Sequence, residues 1–214
     1  MTTYNNQLSA YIHSLFAVED EYLVQAREES AKYGLPAINI NAEEGRFLQF
    51  LVRLIGARTA VEIGTFYGYS STWIARGLNP GGKLITIEKE ANYADIARQN
   101  FEFAGLAEIV DLHVGDAKHI LTKIQESGPF DFVFIDADRP NYPFFFEWAL
   151  EHLRLGGIFA AHNAFMKGTI TGIGEDEEHS ALMRQFNRQV AENARLTSTI
   201  FPAGDGTLVA MKTS

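Results

Sequence analysis

The chain contains no cysteine, which removes disulfides, thiolate metal sites and cysteine nucleophiles together and fits a reducing, cytoplasmic setting. Basic residues are few: 18 Lys and Arg stand against 27 Asp and Glu, and the net charge of −9 leaves no cationic footprint of the kind polyanion binders carry. Nucleic acid is therefore disfavoured as a partner. No uncharged stretch reaches membrane-spanning length, and the start, Met1-Thr2-Thr3-Tyr4-Asn5-Asn6, has no cationic segment leading an apolar one. The three-glycine dinucleotide fingerprint and the phosphate-cradling loop with its Lys-Ser/Thr are both missing, as is a nucleophile elbow with an ordered Ser/His/Asp set. Repeats, low-complexity segments and linkers are absent too. With 214 residues, 46% of them hydrophobic, the expectation is one domain over 1–214, with a helical preamble at 1–57 and a sheet at 58–214.

What is present centres on residues 60–72, a β-branched run (Ala60-Val61-Glu62-Ile63) that breaks on Gly64 and Gly68 and then turns helical. This reads as strand, tight loop and helix start. The glycines let the backbone take positive φ and approach a ligand, and Ser70 is placed to cap the helix. In a parallel α/β sheet ligands sit outside the carboxyl ends of the strands, which makes this loop the expected cofactor cradle. Glu62, two residues before Gly64, would repel a pyrophosphate and suits a ligand carrying an ammonium or sulfonium group.

Residues 7–33 carry two helical patterns, with Gly34 and Pro36 as stop signals. Asn41 with Glu44 forms a capping-box signature, and Phe47, Leu48, Leu51, Val52 and Ile55 give the following helix one apolar face. Beyond the cradle the pattern alternates: strand 83–88, helix 91–104, strand 109–114, helix 117–126, strand 131–136, helix 142–153 and strand 157–161. Such alternation predicts a parallel sheet covered on both faces. A long helix after residue 176 precedes two β-rich runs, 197–201 and 207–212, whose short Pro202-Ala203-Gly204-Asp205-Gly206 connection demands an antiparallel pair. The irregular stretch 163–176, with Gly168, Gly172, Gly174 and an acidic run, is a candidate lid or substrate loop. Trp73, Trp148 and Phe144-Phe145-Phe146 read as packing aromatics.

Polar side chains collect at the strand ends. Glu88 closes the second strand, where an acid either accepts both hydroxyls of a ribose or is simply solvated. Asp116 is placed to meet an adenine edge or to cap the helix beginning at Ala117. The fourth strand ends in Asp136-Ala137-Asp138 and the fifth in His162-Asn163.

In order and spacing, Glu62-Ile63-Gly64, Gly68-Tyr69-Ser70, Ile87-Glu88, Gly115-Asp116-Ala117, Asp136-Ala137-Asp138, Asn141-Tyr142 and Gly204-Asp205-Gly206 resemble the cation-dependent, S-adenosylmethionine-using O-methyltransferases of the catechol and caffeoyl-coenzyme A group, especially its small bacterial members. The resemblance runs from about residue 34 to the end. It implies a Rossmann-like class I methyltransferase fold with seven strands, the last antiparallel, and a homodimer. It further implies that Glu62, Gly64, Thr65, Tyr69 and Ser70 hold the methionine end of the cofactor, Glu88 its ribose, and Asp116 with Ala117 its adenine. Asp136 would ligate a divalent cation and lie near the cofactor's amino group.

Two residues depart from the family's pattern. His162-Asn163 stands where the family has the Asp-Asn pair that completes its metal site, and Arg139 where it has a Lys that deprotonates or orients the acceptor hydroxyl. A set of Asp136, His162 and Asn163 would favour Mn²⁺, Co²⁺ or Zn²⁺ over Mg²⁺, or hold no metal. Arg139 stays protonated and serves only as an electrostatic partner. His162 is then a ligand, a general base or a space-filling residue. The expected activity is methylation of a hydroxyl on a catechol-like or other small aromatic acceptor, with Asp136, Arg139 and His162 as the catalytic group. Alternatives are methylation of a hydroxylated uridine in transfer RNA, and a catalytically decayed cofactor-binding protein.

Overall fold

The structure, a computed structural model, describes residues 4–32, 38–172 and 177–214. Gly34, Pro36 and Gly174 lie outside them. Three helices come first: α1 (Asn6–Phe16), α2 (Glu21–Lys32) and α3 (Ala42–Leu54). Asn5 caps α1, its side chain accepting from the backbone N–H groups of Gln7 and Leu8, and α3 starts on the expected capping box, with the Glu44 carboxylate accepting from the Asn41 N–H at 3.0 Å.

Strands and helices then alternate as β1 (Thr59–Ile63), α4 (Tyr69–Ala75), β2 (Lys83–Glu88), α5 (Ala91–Phe103), β3 (Val110–Val114), α6 (Ala117–Ile124), β4 (Phe130–Ile135), α7 (Tyr142–His152) and β5 (Leu153–Ala161). Helix α8 (Glu177–Ala191) leads to β6 (Leu196–Phe201) and β7 (Thr207–Lys212). The seven strands lie in the order β3-β2-β1-β4-β5-β7-β6, all neighbours parallel except where β7 inserts antiparallel between β5 and β6. The strand order reverses between β1 and β4, and a crevice opens there at the carboxyl edge.

Strand parity assigns the two cores. Val61, Ile63, Val133, Ile135 and Phe159 point to one face and pack with α6, α7 and α8; Ala60, Phe132, Phe134, Ile158 and Ala160 point to the other, under α3, α4 and α5. Trp73 and Trp148 are buried among these helices, as their aromatic character predicts. Among the described residues no helix is long and apolar enough to cross a membrane.

Two elements differ from expectation. Strand β5 begins at Leu153 rather than 157, because Leu153 pairs with Phe130 across a register shift before Ile158 meets Phe132, with Gly156 at φ 73° taking up the bulge. Ser70 does not cap α4: the left-handed Gly68, at φ 84°, occupies that position, and Ser70 lies inside the first turn.

Candidate active site

Strand β1 ends in the cradle. Gly64, at φ 101°, packs so closely on the end of β4 that a Cβ there would fall on the main-chain carbonyl oxygen of Asp136. Phe66 follows with φ 50°, and its N–H donates to the Glu88 carboxylate at 2.7 Å; the other carboxylate oxygen accepts from the Glu90 N–H at 2.9 Å. These two donors fix the orientation of Glu88, which is 8% exposed and faces a cleft of about 760 Å³, a size suited to a small-molecule ligand. Asp116 caps α6 by accepting from the His119 N–H at 3.2 Å and lines the same cleft beside Ala117, so its capping role and its site position coexist.

Opposite the cradle, β4 and β5 bring three polar side chains together. Asn163, in the left-handed region at φ 63°, donates from Nδ2 to Asp136 Oδ1 at 3.1 Å. The His162 ring lies between two carboxylates, Nδ1 at 3.3 Å from Asp136 Oδ2 and Nε2 at 3.3 Å from Glu44 Oε1. Both contacts lie within ion-pair distance but are not aligned as hydrogen bonds. Burial alone would lower the imidazole pKa, but the charge on Asp136, followed by Glu44, overrides it and raises the value to about 10. The two flanking carboxylates thus favour the protonated ring. Asp205 packs nearby; burial raises its pKa, and it accepts from the Lys167 N–H. Arg139, from a short 3₁₀ turn after β4, reaches the cleft with a buried Nε that has no hydrogen-bond partner among the described residues.

The O-methyltransferase family profile matches residues 12–213. A catechol O-methyltransferase of Niastella koreensis is 38% identical over 92% of this chain and 91% of its own length, and one of Mycobacterium tuberculosis is 35% identical over 90% and 86%. The O-methyltransferase TomG of Streptomyces achromogenes, solved in complex with S-adenosylmethionine, superposes with a TM-score of 0.89 at 36% identity, covering 98% of this chain and 97% of that one. An O-methyltransferase from Bacillus cereus in complex with S-adenosylhomocysteine gives 0.88 at 34%, covering 97% of each. The chain belongs to the O-methyltransferase family. It is an S-adenosylmethionine-dependent O-methyltransferase, and the fold expected from its sequence, a mostly parallel seven-stranded sheet, is the fold of these relatives.

Within this methyltransferase the cleft gathers Gly64, Thr65, Tyr69, Ser70, Glu88, Asp116, Ala117, Asp136, Arg139, His162 and Asn163 along one wall-to-wall surface. Glu62 departs from its expected place. Parity turns it away from the cleft and under α4, where it is fully buried and accepts from the hydroxyls of Ser70, Ser71 and Thr86. Burial raises its pKa to about 7 against those three donors, with the Asp136 charge adding to the rise. Glu62 therefore braces the start of α4 from below. Tyr69 lines the cleft with its ring while its hydroxyl donates to Glu19 at 2.9 Å.

The residues considered as metal ligands do not have the form of a ligand set. Among the described residues no three His, Asp or Glu side chains converge on one point, and Asn163 turns an N–H donor toward Asp136. One carboxylate, one amide and one imidazole are also poor in the oxygen ligands that a hard cation such as Mg²⁺ takes, in keeping with the expectation that Mg²⁺ is disfavoured here. Sequence reasoning missed Glu44 and Asp205. The capping-box signal explained Glu44 by itself, and the signal for Asp205 was its place between two glycines in a hairpin turn.

Proposed function

We propose that this methyltransferase acts on a catechol-like small aromatic acceptor, methylating one of its hydroxyls. The observation that carries the reading is Arg139, which reaches the cleft that Asp136 and His162 also line and whose buried Nε has no hydrogen-bond partner among the described residues. A phenolate formed there would find a guanidinium with an unused buried donor, and such fixed charge favours the attacking oxygen as its anion. The names of the Niastella and Mycobacterium relatives support the same acceptor class.

In this reading the Gly64 loop, Tyr69 and Ser70 take the methionine end of the cofactor. Glu88 takes the ribose hydroxyls, Asp116 and Ala117 border the adenine, and Asp136 faces the amino group. The bound cofactor supplies an electrophilic sulfonium methyl; the chain's own residues position the acceptor oxygen in line with it and exclude water. A homodimer is part of the proposal. Helix α1 has no buried residue, and Tyr11, Leu15 and Phe16 on it, with Phe50 and Leu54 on the neighbouring α3, are each more than half exposed (61%, 56%, 63%, 57% and 66%). A cysteine-free chain of this kind is suited to work in the cytoplasm.

The test is incubation with S-adenosylmethionine and a panel of catechols, with products read by mass spectrometry. Monomethylated catechols are expected. A protein that binds the cofactor but methylates no catechol would refute the acceptor reading.

A further inference from the structure

We propose that this chain transfers its methyl group without a divalent cation, the place of that cation being taken by the ring of His162, held between Glu44 and Asp136. The inference rests on the reading of this cleft as a catechol-type acceptor site.

Three features of the group lead to it. First, its carboxylates are already committed on opposite edges of one ring. Asp136 Oδ2 faces Nδ1 and Glu44 Oε1 faces Nε2, each at 3.3 Å, so the two acids cannot meet on a common metal without displacing an imidazole that is 6% exposed. Second, the remaining oxygens are in use. Glu44 also accepts from the Asn41 N–H at 3.0 Å and the Thr207 hydroxyl at 3.2 Å, and Asp136 Oδ1 accepts from Asn163 at 3.1 Å. Third, the backbone seats the ring. The His162 N–H donates to the Ile135 carbonyl at 2.9 Å, continuing the β4–β5 ladder to the residue that carries the imidazole.

Charge supplies the rest of the argument. A divalent ion in a methyltransferase of this type offers positive charge next to the acceptor oxygen. The ring's two nitrogens each face a carboxylate oxygen at 3.3 Å, Asp136 on one edge and Glu44 on the other, an arrangement that favours the positively charged imidazolium at the same rim of the cleft. The cation is thereby encoded in the chain. A second basic side chain, Arg139, lines the same cleft.

The experiment uses Mn²⁺ as its probe, because its free ion gives a spectrum that disappears on binding. EDTA-stripped, desalted protein is titrated with Mn²⁺ by electron paramagnetic resonance, with and without S-adenosylmethionine, and catechol methylation is measured on the same samples. Wild type is expected to leave the Mn²⁺ signal free and to methylate at the same rate in EDTA. His162→Asp, checked for folding by circular dichroism and for cofactor binding by calorimetry, is expected to take up one equivalent of Mn²⁺ and to be stimulated about tenfold or more by it. Uptake of one equivalent of Mn²⁺ by wild type overturns the proposal, as does activity lost in EDTA and restored by Mn²⁺. A folded His162→Asp that gains no Mn²⁺ overturns the placement of the ring at the cation's position. If that variant does not fold, the wild-type titration still decides. If no catechol is methylated, the acceptor reading fails, and the Mn²⁺ titration still decides the metal question without any acceptor.

Discussion

Raising the pH from about 7.5 to about 10 should remove stability through one side chain, His162. Its pKa is raised from 6.5 to about 10 in the folded chain, so the folded state holds a proton that the unfolded state has already lost. A base raised in this way stabilises fully below its unfolded value, about 6.5, and the contribution falls as the pH climbs through about 10. At about 1.4 kcal/mol per pH unit, the loss between pH 7.5 and 10 is about 3 kcal/mol. For a chain of this size that corresponds to roughly 6–12 °C in melting temperature. Lysines and tyrosines also titrate in this range, so the measurement is a difference of differences: thermal melts of wild type and His162→Gln at both pH values. The wild type should lose more than the variant, by that margin. Parallel losses in the two proteins would refute the ion-paired imidazolium and leave His162 as a neutral, space-filling ring.

Glu88→Ala should weaken S-adenosylmethionine tenfold or more, since each lost hydrogen bond to a charged acceptor costs roughly 1.5–3 kcal/mol and the Phe66 N–H loses its partner as well; calorimetry showing unchanged affinity removes Glu88 from the site. Gly64→Ala should destabilise by about 3 kcal/mol or more, because a Cβ meets the Asp136 carbonyl and the backbone sits at φ 101°, and a urea melt matching wild type would contradict the close approach of β1 and β4. Glu62→Gln should keep its cofactor affinity and flatten the stability profile between about pH 5 and 8. The raised carboxyl pKa, about 7, makes the wild-type contribution present in acid and lost as pH rises through that value, so a variant with the wild-type slope would show that Glu62 does not titrate there. If α1 carries the proposed homodimer interface, Leu15→Lys, at a side chain that is 56% exposed, should give a monomer by light scattering and remove any dependence of the melting temperature on protein concentration; a variant still dimeric would move the interface elsewhere.

The parts of this molecule legible in the sequence are those fixed by local chemistry. Strand β2 falls at 83–88 and β7 at 207–212, as predicted, because both are β-branched or aliphatic runs bounded by turn residues, and the five-residue connection before β7 left no topology but an antiparallel pair. The cleft residues were legible because strand ends in a parallel sheet share one edge. What stayed hidden depends on direction. Both faces of β1 are buried, so its composition gives no alternation from which to read that Glu62 points under α4 and away from the cleft. The expected strand 157–161 begins four residues earlier, at Leu153, where Arg154 donates to Asp131 at 2.5 Å and to the Ile55 carbonyl at 3.0 Å and so holds the early part of β5 in place by contacts distant in sequence.

Glu44 shows how the N-terminal helices enter the chemistry. A preamble helix ahead of a cofactor sheet would ordinarily be packing, and the apolar face of α3 does pack under β1 and β4. Yet its first turn stands over the rim of β5, and Glu44, 1% exposed, both closes the helix cap and faces His162. The β6–β7 turn closes over the same carboxylate. Gly204 lies at φ 56° with no room for a Cβ beside Glu44, and a Cβ on Gly206 would come within 2.8 Å of the Phe165 ring. Both glycines of the Gly204-Asp205-Gly206 motif are therefore explained by what they let approach: the first the acid that faces His162, the second the loop that carries Lys167. A buried carboxylate so enclosed needs a positive partner, since an isolated buried charge costs several kcal/mol. Neither α3 nor the turn supplies one, and the His162 imidazole is the group within 3.3 Å that can. The enclosure of Glu44 and the protonation of His162 are thus one electrostatic arrangement, in which each residue requires the other.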